Sequence, residues 1–281
     1  VLRDTGLPLV FDDLQQRYSI PGAYFLPPTN FTHEEALSLL VLCHDLGDHT
    51  QLPFFTPARS AVLKLESSLP TRLRARLRAT ADAIQIEMPP INQLHGQQPI
   101  YEQLLEAIVS RRCVRVQYKS PAESDKIKTR LNPYRLLFRR RSWYVIGRSS
   151  LHRGTRTFNI GRILDLEPLE DKFQIPRGFS TNRYLRNAWN LIPEQGPDLD
   201  VVVRFSKHVA QNVAEVTWHK TQQLTNNEDG SLDFKVTVSG LGEICWWVLG
   251  YGAEAEVISP LKLREMMVEH VSRLTELYKN T

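Results

Sequence analysis

Arg139-Arg140-Arg141-Ser142-Trp143-Tyr144-Val145-Ile146-Gly147-Arg148 sets cations at both ends of an aromatic and β-branched run. Trp, Tyr, Val and Ile fit a pleated, half-buried strand. Period-two alternation puts Trp143 and Val145 on one face, with Tyr144, Ile146 and Arg148 on the other. Arg156-Thr157-Phe158-Asn159-Ile160-Gly161-Arg162-Ile163 repeats the device. Read as one strand, it brackets Phe158 and Ile160 between Arg156 and Arg162. These strands must build a core and present guanidinium groups at once.

The flanking segments read as their supports. Ile100 to Ser110 is a helix with Leu104, Leu105 and Ile108 on one side. Cys113 to Tyr118 is a strand by alternation, with Cys113, Arg115 and Gln117 opposite Val114, Val116 and Tyr118. Lys119 to Asp125 is a turn. Lys126 to Phe138 is extended but interrupted at Asn132-Pro133, so it is bent or lies at an edge. Leu164 to Leu169 supplies the last strand. One helix and about five short strands joined by tight turns read as a small curled barrel.

Upstream, Leu2 to Phe11 reads as a helix end, a Gly stop and a strand that returns through Arg17 to Ile20. A two-stranded ribbon is marginal alone, so a missing upstream domain is expected. Pro21 to Asn30 is a connector. Thr32 and Glu35 form a capping box for a helix carrying Ala36, Leu39, Leu40 and Cys43. A second helix starts near Thr56-Pro57, with Ala61, Leu65 and Leu69 on one face. The arginines 72, 74, 76 and 78 of a third, Thr71 to Ala81, scatter around its circumference and read as a solvated face.

Downstream, Asp171 to Ile192 is a bridge rich in aromatics and arginine, and Pro193 to Pro197 is a linker. Val201 to Phe205 is a strand and Ser206 to Val213 a short helix. Strands follow near Thr217-Trp218 and at Phe234 to Val238. Glu243 to Leu249 is a helix, Ala255 to Ile258 a strand and Leu261 to Tyr278 a long amphipathic helix. That order matches a ferredoxin-like α+β layer.

The 281 residues carry a net charge of +4 and a pI near 9.0, unevenly spread. Arg111 to Arg186 holds 19 Lys+Arg against 6 Asp+Glu, and the remainder 16 against 25. A basic module between acidic flanks points to a polyanion, or to neutralisation of those flanks at a domain or subunit interface. Cys43, Cys113 and Cys245 are far apart and odd in number, which argues for reduced thiols in a cytoplasmic protein. No apolar run approaches the roughly 20 residues that span a bilayer, and no basic-then-apolar leader opens the chain, so no membrane association is expected.

Trp143-Tyr144-Val145 resembles the W-Y-L signature of the WYL-domain transcriptional regulators. Arg156-x-Phe158-x-Ile160-x-Arg162-Ile163 resembles their R-x-F-x-L-D-R-I strand, and Phe31-Thr32-x-Glu34-Glu35-Ala36 the helix after their winged helix-turn-helix. Val203-Arg204-Phe205, Trp218-His219, Asp229-Gly230 and Leu261-Lys262-Leu263-Arg264 are similar to their C-terminal WCX extension. Val145 replaces the usual Leu. Gly161 stands where the family has Asp, which removes a carboxylate there.

The resemblance implies an α+β protein with four parts. Residues 1–25 are the wing remnant of a winged helix-turn-helix, 26–98 a helical linker, 99–192 an Sm-like or SH3-like WYL barrel, and 198–281 a ferredoxin-like WCX module. It also implies a homodimer that senses a nucleic-acid-like or nucleotide effector and contacts DNA through the missing domain. By itself the chain offers no helix for the major groove, so sequence-specific duplex binding is not expected.

The expected ligand residues are Tyr118, Ser120, Arg130, Arg141, Tyr144, Arg148, Arg156 and Arg162. Guanidinium forks pair with phosphates while aromatic faces stack bases. No cofactor and no metal are expected. G-x-S-x-G, P-loop, H-E-x-x-H and C-x-x-C patterns are absent from the sequence. His152, His208 and His219 lack spaced partners and read as surface or structural residues, so the enzyme reading is weak. The competing reading is an interaction module with a structural basic face, in which Arg162 pairs with Asp165 and Trp143 and Trp246 are core. A dimer is expected through Leu263, Met266, Met267, His270, Leu274 and Leu277 of the last helix.

Overall fold

The computed structural model describes residues 10–12, 17–19, 31–47, 55–69, 71–84, 90, 92, 94, 96–120 and 126–279. The expected helix end before residue 7, the connector 21–30 and most of the turn 119–125 lie outside them. The chain divides into two compact units, residues 1–89 and 90–281.

In the first unit, β1 (Val10–Asp12) pairs antiparallel with β2 (Arg17–Ser19). Helix α1 (His33–Gly47) opens on the expected capping box. The Glu35 amide donates to Thr32 Oγ1 at 3.2 Å and the Thr32 amide to Glu35 Oε2 at 2.8 Å, so two amides at the helix start find partners. With α2 (Phe55–Ser68) and α3 (Thr71–Ala81) it buries Ala36, Leu40, Val62 and Leu77. Ala61 is exposed, and α2 turns Val62 and Glu66 inward instead. The α3 arginines are not all solvated. Arg74 donates to the carbonyls of Ser67 and Leu69 at 2.9 and 3.0 Å, capping α2, and Arg78 pairs with the buried Glu66.

The second unit begins with α4 (Gln98–Val109) and β3 (Arg112–Lys119), β4 (Lys126–Arg139), β5 (Ser142–Ser149), β6 (Gly154–Asn159) and β7 (Ile163–Lys172). All pairings are antiparallel, in the order β6-β5-β4-β3-β7. A meander whose last strand returns beside its first is the order a small curled barrel needs. β4 is one continuous strand serving two neighbours. Lys126 to Leu131 pair with β3, and Leu131 to Arg139 pair with β5. The expected break at Asn132-Pro133 appears as a register shift between Pro133 and Arg135, because proline cannot donate to the ladder.

Alternation then sorts the side chains. Val114, Val116, Tyr118, Leu131, Val145 and Phe158 meet Tyr101, Leu104 and Ala107 of α4 in one core. Trp143 packs against it, edge-on to Tyr101 with ring centroids 5.0 Å apart. The strand expected over 156–163 is cut. Asn159 Oδ1 accepts from the Gly161 amide at 2.9 Å, and residues 160–162 form a 3-10 turn between β6 and β7. Ile160 is buried there and Arg162 exposed, so the two do not share a strand face with Phe158.

A bridge with α5 (Thr181–Leu185) leads to β8 (Leu199–Phe205), α6 (Ala210–Ala214), β9 (Gln223–Asn226), β10 (Leu232–Val238), α7 (Gly242–Leu249), β11 (Ala255–Ser259) and α8 (Leu261–Lys279). The order β11-β8-β10-β9, antiparallel throughout, is the ferredoxin-like arrangement. Thr217-Trp218 is a loop, and the strand comes later, at Gln223. The Trp218 indole N–H donates to the Val213 carbonyl at 3.0 Å and is held by α6 instead of a ladder.

Trp246 corrects an expectation: it is 67% exposed and touches His270, whereas Trp247 packs among Trp189, Phe205 and Phe234. At 100° per residue, Ile244, Cys245 and Val248 define the inner stripe of α7 and leave Trp246 outside it. In α8 Leu263 is buried and Met266, Met267 and His270 half-buried, but every residue from Val271 to Lys279 is exposed.

Candidate functional site

The β5–β6 turn folds over β4. The Ser150 amide donates to the Arg130 carbonyl at 2.9 Å, and the Arg130 amide to Ser150 Oγ at 3.1 Å. Beneath lies a hydroxyl network. Thr129 Oγ1 and Ser149 Oγ are 2.8 Å apart, and Ser149 Oγ lies 2.9 Å from His152 Nδ1. Ser149 and Thr129 are buried, so these mutual bonds satisfy groups cut off from water. His152 is thus a structural residue of the turn.

The turn and the two strands enclose a cleft of 300 Å³ lined by Arg130, Asn132, Arg148, Ser149, Ser150 and Arg153. None of the lining residues is acidic. Arg153 holds φ at 50°, the left-handed region, where the chain must reverse. Arg130 is steadied from outside the cleft, with Nη2 3.3 Å from Cys113 Sγ and Nη1 3.3 Å from Asp171 Oδ2. Arg148 also acts on Tyr134, opposing the rise in hydroxyl pKa that burial imposes. Three guanidinium groups with neighbouring hydroxyls can accept a phosphate or carboxylate through charge-assisted hydrogen bonds.

Of the expected ligand residues, Arg130 and Arg148 meet in this cleft. The others lie outside its lining. Tyr118 is a core residue, 7% exposed, edge-on to Phe158, its hydroxyl accepting from the Asn159 amide at 3.4 Å. It has no open face for a base, which corrects the stacking role. Tyr144 is half-buried, across from Asn159 and Leu137. Arg156 bends back to the Thr155 carbonyl at 2.9 Å, beside Tyr184. Ser120 is half-buried, and Arg162 and Arg141 are exposed. Asn132, Ser149, Ser150 and Arg153 escape sequence reasoning. The signal for Ser149, Ser150 and Arg153 is a polar, arginine-bearing turn at the end of a strand, and Asn132 is marked only as the residue before Pro133 in β4.

Part of the remaining basic charge has a structural partner. Arg115 pairs with Glu167 and Arg112 with Glu170 across β3 and β7. The hairpin tip Arg139-Arg140-Arg141 faces the C-terminal module. Glu243, in the first turn of α7, acts electrostatically on Arg140. The same carboxylate accepts from the amides of Asn190, Leu191 and Ile192 at 2.7, 3.1 and 3.3 Å. Among the described residues no group of three His, Cys, Asp or Glu could hold a metal ion, and no helix is long and apolar enough to cross a membrane.

Residues 99–168 match the model of the WYL domain and residues 197–275 that of the WCX domain. Protein PafB of Mycobacterium leprae is 24% identical over 280 residues, covering 94% of this chain and 79% of that protein. Protein PafB of Mycobacterium tuberculosis is 23% identical over 281 residues, covering 94% and 80%. Among solved structures, Proteasome accessory factor B/C (PafBC) of Arthrobacter aurescens aligns at 20% identity and a TM-score of 0.32, over 94% of this chain and 39% of that one. A CRISPR Cas-related protein aligns at 11% identity and a TM-score of 0.40, over 64% and 51%. The chain spans less than two thirds of the length of either solved protein.

Proposed function

We propose, for a chain that belongs to the WYL-domain family of transcriptional regulators, that its barrel is a sensor of a phosphate-bearing, nucleic-acid-like or nucleotide effector. The observation that carries this is the cleft of Arg130, Arg148 and Arg153, three cations with hydroxyl neighbours and no carboxylate in its lining. Arg148 and Arg153 hold the anion, Arg130 orients it from the far wall, and Ser150 donates from the turn. The role is binding, not catalysis. Effector occupancy would be passed to a DNA-binding winged helix-turn-helix in the full regulator. In this reading residues 26–98 link that domain to the barrel of 99–192, and 198–281 form the WCX module of a cytoplasmic homodimer.

Titration calorimetry with short single-stranded oligonucleotides and cyclic nucleotides tests the reading. Arg148→Ala should weaken binding by about 1.5–3 kcal/mol, the scale of a charge-assisted hydrogen bond. With an oligonucleotide, added salt should weaken it further by counterion release. No heat from any of these probes, or heat indifferent to Arg148→Ala and to Arg153→Ala, would refute it.

A second reading has its own support. The hairpin tip faces Glu243, and the outer half of α8 exposes Val271, Leu274 and Leu277. An interaction module that uses its basic face structurally would look like this, and the same titration separates the two.

A further inference from the structure

A second cleft, of 360 Å³, lies within residues 90–281 between the barrel hairpin and the loop after α6. Its walls include Arg139 from the end of β4, Arg186 after α5, and Trp218, His219 and Lys220 from the loop. It shares no residue with the barrel cleft. We infer that it is a separate site for a nucleoside monophosphate, with the phosphate between Lys220 and Arg139 and the base against Trp218.

Charge is the first argument. Cations from three separated segments converge, and none of the lining residues is acidic. Arg186 is already neutralised by Asp198 at 2.6 Å, outside the lining. The described structure shows no such carboxylate against Lys220, whose Nζ donates to the Arg186 carbonyl at 2.6 Å, or against Arg139. Holding uncompensated cations beside one another costs Coulomb energy that a bound anion would return.

Preorganisation is the second argument. Trp218 is half-buried and pinned through its N–H to Val213. His219 is 7% exposed, its ring stacked on Trp189 at 5.7 Å and 13°. Its Nδ1 lies 2.9 Å from Thr221 Oγ1, so the histidine floor is fixed before any ligand arrives. A concave site with a rigid aromatic wall and a few convergent polar groups is what a small ligand requires. The cleft also joins barrel to C-terminal module, so occupancy there would add contacts between them.

The test is calorimetry on the whole chain in phosphate-free buffer at pH 7, with adenosine 5′-monophosphate, adenosine and inorganic phosphate as probes. The monophosphate should bind, adenosine should not, and inorganic phosphate should bind more weakly. Lys220→Gln and Arg139→Ala should each weaken the monophosphate roughly tenfold, the scale of one charge-assisted hydrogen bond, and should do so equally in a chain that already carries Arg148→Ala, where the barrel cleft no longer holds the probe. Lys220 is exposed, so Lys220→Gln should fold normally and keeps the test valid should Arg139→Ala not fold. The inference fails if the monophosphate does not bind, or if it binds equally to wild type and Lys220→Gln. It also fails if inorganic phosphate binds as tightly, since the aromatic wall then contributes nothing. Loss of the heat in Arg148→Ala alone would assign it to the barrel cleft and overturn this site while supporting the other.

Discussion

Gly147 lies opposite Pro133 in the β4–β5 ladder, so close that a Cβ on Gly147 would come within 2.3 Å of the Asn132 carbonyl oxygen and 3.0 Å of Pro133 Cα. The atoms in the way are backbone and cannot swing aside. Gly147→Ala should therefore push the strands apart where β4 bends and cost about 1–3 kcal/mol, the usual scale of overpacking. Asn132 lines the barrel cleft, so effector binding should weaken too. Urea unfolding of variant and wild type measures the first effect, and an unchanged midpoint would contradict it.

Glu243 gathers three backbone amides and the field of Arg140. Glu243→Ala leaves the amides of buried Asn190 and Leu191 unsatisfied and should cost about 1–3 kcal/mol. Hydrogen exchange at residues 190–192 should accelerate more than exchange in β8. Uniform acceleration would indicate global destabilisation and not release of this segment.

His219 gives a pH dependence. Burial lowers its pKa below the ordinary histidine value, the Ala188 carbonyl opposes this, and Lys220 and Arg139 lower it further. The unfolded chain therefore binds the proton more tightly than the folded one, and stability rises with pH. This contribution is complete above the unfolded value of about 6.5 and is lost as pH falls through it toward the folded value. Melting curves between pH 5 and 8 should flatten in His219→Gln, and an identical slope in the variant would exclude this histidine as the source.

The exposed end of α8 carries the proposed dimer. Val271, Leu274 and Leu277, all exposed, recur at three-residue spacing along one side of the helix, where a second helix can pack. Light scattering should show a dimer at micromolar concentration in the wild type and a monomer in Leu274→Glu. A wild-type monomer would exclude the proposal.

Much of this architecture is legible in the sequence because it is local. Alternation from Val114 to Tyr118 and from Trp143 to Arg148 marks two barrel strands and their inner faces, and Thr32 with Glu35 marks a helix start. Two errors have local causes too weak to see in advance. Asn159 closes on the Gly161 amide and breaks a run that reads as strand. Trp246 and Trp247 are equally apolar, and only the phase of α7 decides which faces inward. The candidate site is legible in part. Arg130 and Arg148 stand out by charge, but Arg153 and Ser150 join them through a turn that folds back about 20 residues along the chain, a tertiary relation that no spacing encodes. Likewise nothing local announces that the tip at Arg139 to Arg141 points to the C-terminal module.

Barrel strands β3 to β6 each pair with their neighbours along the chain, and only β7 reaches back, setting Glu167 beside Arg115 across 52 positions. Closing so long a loop costs chain entropy before any contact rewards it. The hairpins from β3 to β6 are therefore expected to assemble early and β7 to dock late, as contacts distant in sequence slow folding. Substitutions in β7 should then act mainly on the rate of unfolding, and those at Leu131, which both hairpins share, on the rate of folding.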